Sequence, residues 1–214
     1  MKKGIIFDFD GTLCDSTYFW NHLGEKYLKT LGIVDKDIDN ECSEMSIEES
    51  SIHIKNKYNI DSSPNLIRME INCLIEEAYF KTLELKEGVL DFLEYMYAHN
   101  YKMIIATDTP KPLVQALLKR YNIAHYFIDV ITTIKVKKSK EYPDIYDYCL
   151  LRMGLNKNEV VVFEDNQKVL KMLRDNFYDT IMVRDNLDED MHYALYTIDN
   201  FLDTKAYDIL EKLI

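Results

Sequence analysis

Two hydrophobic periods share the chain. After Gly4, the run Ile5-Ile6-Phe7 with Phe9 ends in Asp10-Gly11-Thr12, and it predicts a buried β-strand over 4–9. The spacing then becomes helical. Asp15-Ser16 can cap a helix reaching about Leu31, with Trp20, Leu23, Tyr27 and Leu31 on one face and Gly32 as the stop. Ser46-Ile47-Glu48-Glu49 fits a capping box that opens a helix to about Tyr58. Ser63 before Pro64 starts another, reaching about Leu85, with Ile67, Ile71, Leu74 and Ala78 on one face. From Gly88 the two periods alternate. A helix to His99 precedes the apolar run Met103–Ala106; then follow helix 110–121, strand 127–131, helix 144–153, strand 160–163, helix 166–175 and strand 180–183. Residues 191–214 read as a closing strand and helix.

Strands alternating with helices predict an α/β fold, a doubly wound parallel sheet. The stretch of about 16–85 holds helices alone and interrupts the alternation after its first strand. The economical division is an α/β core of residues 1–13 and 86–214 with a helical domain, 14–85, inserted into it. No internal repeat or low-complexity segment is present.

Composition narrows the partners. The 214 residues suit one large domain, or one that carries a smaller insertion. Hydrophobic residues at 47% and charged residues at 29% are ordinary for a globular chain. A net charge of −11 and a pI near 4.9 argue against nucleic acid or an anionic membrane as partner. A small anionic substrate stays compatible, because a local cation can override net charge. Cys14, Cys42, Cys73 and Cys149 are widely spaced with no C-x-x-C pair, the pattern of reduced thiols in a cytoplasmic protein. Met1 to Phe7 begins like a signal peptide, but Asp8 and Asp10 interrupt it early. No apolar run approaches the ~20 residues of a membrane span.

Several apolar runs end in reactive side chains. Asp8 and Asp10, two apart in a strand, face the same side, and carboxylates at a buried strand's end need a compensating cation or proton. Taken alone, Asp-Gly is equally a solvated turn. Thr107 ends the run Met103–Ala106; its hydroxyl can donate to a phosphoryl oxygen, or it can simply end the strand. Thr109-Pro110 then opens a helix whose free N–H groups favour an anion. Lys135, Lys137, Lys138 and Lys140 crowd before Pro143, either as a solvated loop or as the source of one fixed cation. Val160–Phe163 ends in Glu164, Asp165 and Asn166, of which the last two are also helix-capping types. If the fold brings these ends to Asp8 and Asp10, four carboxylates meet, a set suited to a hard divalent cation such as Mg²⁺. His22, His53, His99, His125 and His192 form no metal-spaced pair, and there is no glycine-rich phosphate loop.

Ile5-Ile6-Phe7-Asp8-Phe9-Asp10-Gly11-Thr12 resembles the first motif of the haloacid dehalogenase-like superfamily. The segments around Thr107, Lys140 and Glu164-Asp165 follow in that family's order. The resemblance spans nearly the whole chain and points to the phosphoglycolate phosphatase and β-phosphoglucomutase-like branch. It implies a doubly wound, Rossmann-like core with a helical cap, and a phosphatase that hydrolyses a small phosphate monoester through an aspartyl-phosphate. In that scheme Asp8 is the nucleophile and Asp10 the general acid and base. Thr107, Asp108 and Lys140 meet the phosphate, and Asp8, Asp10, Glu164 and Asp165 hold Mg²⁺. Asp108 stands where relatives often have Asn, so its carboxylate must point away from a phosphate. Lys140 matches by lying three residues before Pro143, with Lys138 as rival, because the usual Gly before and Pro after the lysine are missing. Dehalogenases lack the second Asp and cation-pumping ATPases have Thr there, so Asp10 argues against both. A β-phosphoglucomutase-like sugar phosphomutase is the alternative reaction, and a non-catalytic binding protein the alternative of another class. The expected partner is a small phosphorylated metabolite, such as phosphoglycolate, a sugar phosphate or a nucleoside monophosphate, chosen by the cap. Nucleic acid and membrane are not expected, and oligomeric state is left open.

Overall fold

The structure is a computed structural model that describes residues 2–184 and 193–207. The chain divides into two compact units, one of residues 1–15 and 83–214 and one of residues 16–82.

The larger unit is built on a parallel sheet. Its strands are β1 (Gly4–Phe7), β4 (Lys102–Thr107), β5 (Phe127–Thr132), β6 (Val160–Glu164), β7 (Thr180–Val183) and β8 (Tyr196–Ile198). Two short strands, β2 (Cys14–Asp15) and β3 (Glu84–Leu85), pair antiparallel on either side of the helical segment in sequence. The sheet order is β5-β4-β1-β6-β7-β8. The chain runs outward from β1 to β5, returns to the other side of β1, and runs outward again. That reversal makes the carboxyl edge of β1, between β4 and β6, the switch point where open α/β sheets bind ligands. Register carries the sequence to that edge: Phe7 lies opposite both Ile105 and Phe163, so the residues after them arrive together.

β1 and β6 are buried along their whole length, as continuous apolar runs require when both faces are covered. Alternation separates the faces. Ile6, Ile104 and Val162 join Ile145, Tyr146 and Cys149 in one core layer. Phe7 and Phe163 turn the other way, where rings of Phe92 and Phe201 pack at centroid distances of 4.9–6.4 Å. Each fully buried large apolar side chain contributes about 1.5–3 kcal/mol, the reserve that offsets burying charge at the sheet edge. Gly88, at φ +79°, precedes α6 (Val89–Ala98), and a Cβ there would lie 2.5 Å from the Phe201 carbonyl carbon. No side chain fits that approach.

The helical unit contains α1 (Thr17–Trp20), α2 (Leu23–Thr30), α3 (Ile38–Cys42), α4 (Ile47–Tyr58) and α5 (Pro64–Glu77), then a π-helical turn, Ala78–Thr82. The capping box is formed: the Ser46 hydroxyl accepts from the Glu49 N–H at 3.2 Å, and Glu49 accepts from the Ser46 N–H at 2.8 Å. The single helix predicted over 16–31 is two. The His22 imidazole Nδ1 takes the Tyr18 carbonyl at 2.8 Å, the acceptor a continuing helix would have used, and the backbone turns at His22. Tyr27 and Leu28, rather than Leu31, are buried. The predicted helix to Leu85 ends as α at Glu77, and its buried face is Ile67, Ile71, Ile75 and Ala78, with Leu74 at its margin.

The remaining helices are α7 (Lys111–Arg120), α8 (Thr133–Val136), α9 (Asp144–Met153) and α10 (Gln167–Asp175). Of the tail predicted over 191–214, the strand is β8; residues 191, 192 and 208–214 lie outside the described residues. Among the described residues no helix is long and apolar enough to cross a membrane.

Candidate active site

β1 stops at Phe7, so Asp8 is the first residue past the strand rather than a member of it, and the predicted strand over 4–9 is too long by two. The Asp8 N–H still donates to the Phe163 carbonyl at 2.9 Å, which keeps Asp8 beside the end of β6. Gly11, at φ +78°, then reverses the chain within a turn. Asp8 joins Glu164 and Asp165, with one carboxylate oxygen from each lying within 4.8 Å of the others. Asp10 turns to the end of β4, where its Oδ2 accepts from the Thr109 hydroxyl at 2.5 Å.

Lys140 enters from the segment between α8 and α9 and closes the acidic group. Its ammonium donates to Asp8 Oδ1 at 2.5 Å and to Glu164 Oε2 at 2.6 Å. Lys140 and Asp8 are each only 5% exposed, and Glu164 1%. Of the four clustered lysines, Lys135, Lys137 and Lys138 are exposed, and Lys138 pairs instead with Asp144 at 2.7 Å. Geometry therefore brings Lys140, not its rival, to the carboxylates.

Three carboxylates face one ammonium, a formal charge of −3 against +1, in a buried place. The imbalance is visible in the acids. Burial, with Glu164 adding repulsion, pushes Asp8 up to about 7 against the pull of Lys140. Burial and the charges of Asp8 and Glu164 push Asp165 up to about 9. For Lys140, burial works against the charge, but Asp8 and Glu164 outweigh it and hold the ammonium well above its ordinary range. A divalent cation matches the missing charge, and three carboxylates offer the hard oxygen donors it prefers. Both Glu164 oxygens already meet protein donors: Oε2 meets Lys140 and the Tyr146 hydroxyl at 3.2 Å, and Oε1 meets the Asn166 N–H at 3.3 Å.

The end of β4 supplies a donor. Thr107 is buried, and its hydroxyl oxygen accepts from the Thr109 N–H at 3.0 Å. With a lone pair engaged, the hydroxyl proton is free to point outward. Asp108 beside it is exposed. Asn166 is accounted for by capping, since its side chain accepts from the Lys168 and Val169 N–H groups of α10, whereas Asp165 belongs to the acidic group.

Sequence reasoning passed over three residues here. Thr12 donates to Asp165 Oδ1 at 3.3 Å, Thr109 holds Asp10, and Tyr146 contacts Glu164 from α9. Thr12 and Thr109 sit inside the quoted motifs, and their small hydroxyls just past apolar strands were the available signal. Tyr146 reads as helix core by period alone.

Fold and site together define an α/β protein with a carboxylate-centred site able to hold a cation beside an anion. Comparison with known proteins gives the family. The model of the haloacid dehalogenase-like hydrolases matches residues 5–183, and the chain belongs to that family. It is 26% identical over 169 residues to a phosphorylated carbohydrates phosphatase of Thermotoga maritima, covering 77% of each chain. It is 26% identical over 186 residues to a fructose-1-phosphate phosphatase of Escherichia coli, covering 85% of this chain and 96% of the other. Among solved structures, one described as a β-phosphoglucomutase of Thermotoga maritima superposes with a TM-score of 0.87 over 100% of both chains at 20% identity, a likeness of fold.

Proposed function

We propose that the protein is a Mg²⁺-dependent phosphatase that hydrolyses a small phosphate monoester through a phosphorylated Asp8. The observation that carries this reading is the buried clasp of Lys140 on Asp8 and Glu164 beside Asp165, at the switch point of the sheet. Asp8 and Asp165 are the direct cation ligands in this reading, with Glu164 contributing directly or through water. Bound there, Mg²⁺ would supply the positive charge that lets an anionic ester approach a carboxylate.

An Asp8 oxygen attacks phosphorus, the bond from phosphorus to the ester oxygen breaks, and Asp10 gives that oxygen its proton. Asp10, now a carboxylate, takes a proton from water as the water oxygen attacks phosphorus. The bond to Asp8 breaks and inorganic phosphate leaves. Lys140 favours the ionised form of Asp8 and offsets charge on the phosphoryl oxygens, to which the Thr107 hydroxyl donates. Asp108 takes part through its N–H, because its carboxylate would repel the phosphoryl group.

The curated relatives named above are phosphatases of phosphorylated carbohydrates, and they favour hydrolysis of a sugar phosphate or a similar small metabolite over the phosphomutase reaction, for which only a likeness of fold speaks. We assign substrate choice to residues 14–85. A cavity of about 890 Å³ inside the helical unit, with Trp20, His22, Lys36, Asp39 and Ser50 in its wall, supports that assignment. The test is phosphate release from p-nitrophenyl phosphate and from a panel of small phosphomonoesters. Mg²⁺ should support turnover, EDTA should remove it, and Ca²⁺ should substitute poorly because its coordination is larger and looser. Full activity in EDTA, or none on any ester, would overturn the reading.

The raised carboxyls give a second expectation. Without cation, the folded state holds protons on Asp8 and Asp165 that the unfolded chain has released above about pH 4, so stability falls as pH rises through about 7 and 9. Cation binding displaces those protons and is favoured by high pH. The gain in Tm on adding Mg²⁺ should therefore widen from about pH 6 to pH 9 in thermal-shift measurements. A gain that stays flat or shrinks would contradict the cation assignment.

A further inference from the structure

The hydrogen bond from Thr109 to Asp10 joins residues 99 positions apart, and it has a consequence for the acid–base step. Thr109 is buried, at the start of the segment after β4. Its N–H holds the Thr107 hydroxyl while its own hydroxyl donates to Asp10 Oδ2 at 2.5 Å. One residue thus touches both the proposed phosphate donor and the proposed proton carrier, by separate atoms. We propose that Thr109 is a positioning residue that holds the Asp10 carboxyl in place for the proton transfer. This rests on the reading of Asp10 as general acid and base.

The chemistry requires such a holder. Asp10 must be a carboxylic acid when the ester oxygen leaves and a carboxylate when water attacks. A carboxyl free to rotate would present either oxygen, and proton transfer needs the donor within hydrogen-bond reach of one particular atom. A threonine hydroxyl serves both states. It donates to the carboxylate, and it can go on donating to the carbonyl oxygen of the acid. No bond of Thr109 is made or broken in either step, so its effect passes entirely through Asp10.

The test is Thr109→Val, which matches the side-chain shape, removes the hydroxyl and keeps the N–H that holds Thr107. Two substrates are compared by kcat/KM, which reports steps through phosphorylation of Asp8. An alkyl phosphate such as fructose 1-phosphate needs a proton on its leaving oxygen, whereas p-nitrophenolate departs without one. Thr109→Val should lower kcat/KM for the alkyl ester by about 10–100-fold, part of what a general acid supplies. For p-nitrophenyl phosphate the change should stay within about threefold, and Thr109→Ser should restore the alkyl ester. An equal fall on both substrates would mean that Thr109 only supports the fold, and no fall on either would mean that Asp10 needs no holder; each overturns the proposal. An inactive wild-type protein would instead overturn the phosphatase reading, and if the alkyl ester is not a substrate, the most active alkyl ester of the panel replaces it.

Discussion

Asp8→Asn is expected to reduce turnover by at least about 10⁴-fold, since an amide cannot act as the anionic nucleophile. The change is nearly isosteric, and the Asp8 N–H bond to Phe163 is a backbone contact that survives it. It also removes one negative charge from a group that carries too many, so the folded protein should be at least as stable without cation as the wild type is. The expected result is a pairing of lost activity with retained or raised Tm, measured by phosphate release and thermal unfolding on the same preparation. Activity within tenfold of wild type, once deamidation back to Asp is excluded by mass, would contradict Asp8 as nucleophile.

Lys140→Ala should lower kcat by on the order of 10²–10³, the loss of one charge-stabilising donor in a water-poor site. The cause is specific. The Lys140 ammonium opposes the burial and repulsion that raise the Asp8 carboxyl, so without it Asp8 shifts further toward the protonated form, which is no nucleophile. Lys138→Ala should change kcat by less than about twofold, because Lys138 is half-exposed and its pairing with Asp144 is screened by solvent. The two variants are assayed side by side, with circular dichroism as the check on folding. Equal activities in the pair would contradict the role of Lys140.

Strands β1, β6 and β7 were legible because they are buried along their length and read as apolar runs. Val160–Phe163 and Thr180–Val183 could be bounded to within a residue. Capping chemistry fixed the start of α4, whose Ser46 and Glu49 bond reciprocally. What escaped were features decided by contact. The two-residue pair β2 and β3 is too short to show a period. The break between α1 and α2, where the backbone turns at His22, leaves no mark in the hydrophobic period. Residues 8, 164 and 165 were visible as types, since buried strand ends do not carry such charges without use. The Thr109 hydroxyl that holds Asp10 was not visible as a partner, because the crossover from β1 to β4 brings it near. The count to Pro143 indicated Lys140, and the fold gives the physical reason: Lys138 lies on the solvent side, while Lys140 lies inside.

The most direct test of the covalent mechanism is to quench the Mg²⁺-loaded protein with acid during turnover of its best phosphomonoester and map its peptides by mass. The expected result is a single phosphoryl group on the peptide that contains Asp8, lost on treatment with hydroxylamine and absent from Asp8→Asn. Steady turnover with no acid-trapped phosphoryl group on Asp8, or with the group on another residue, would contradict it.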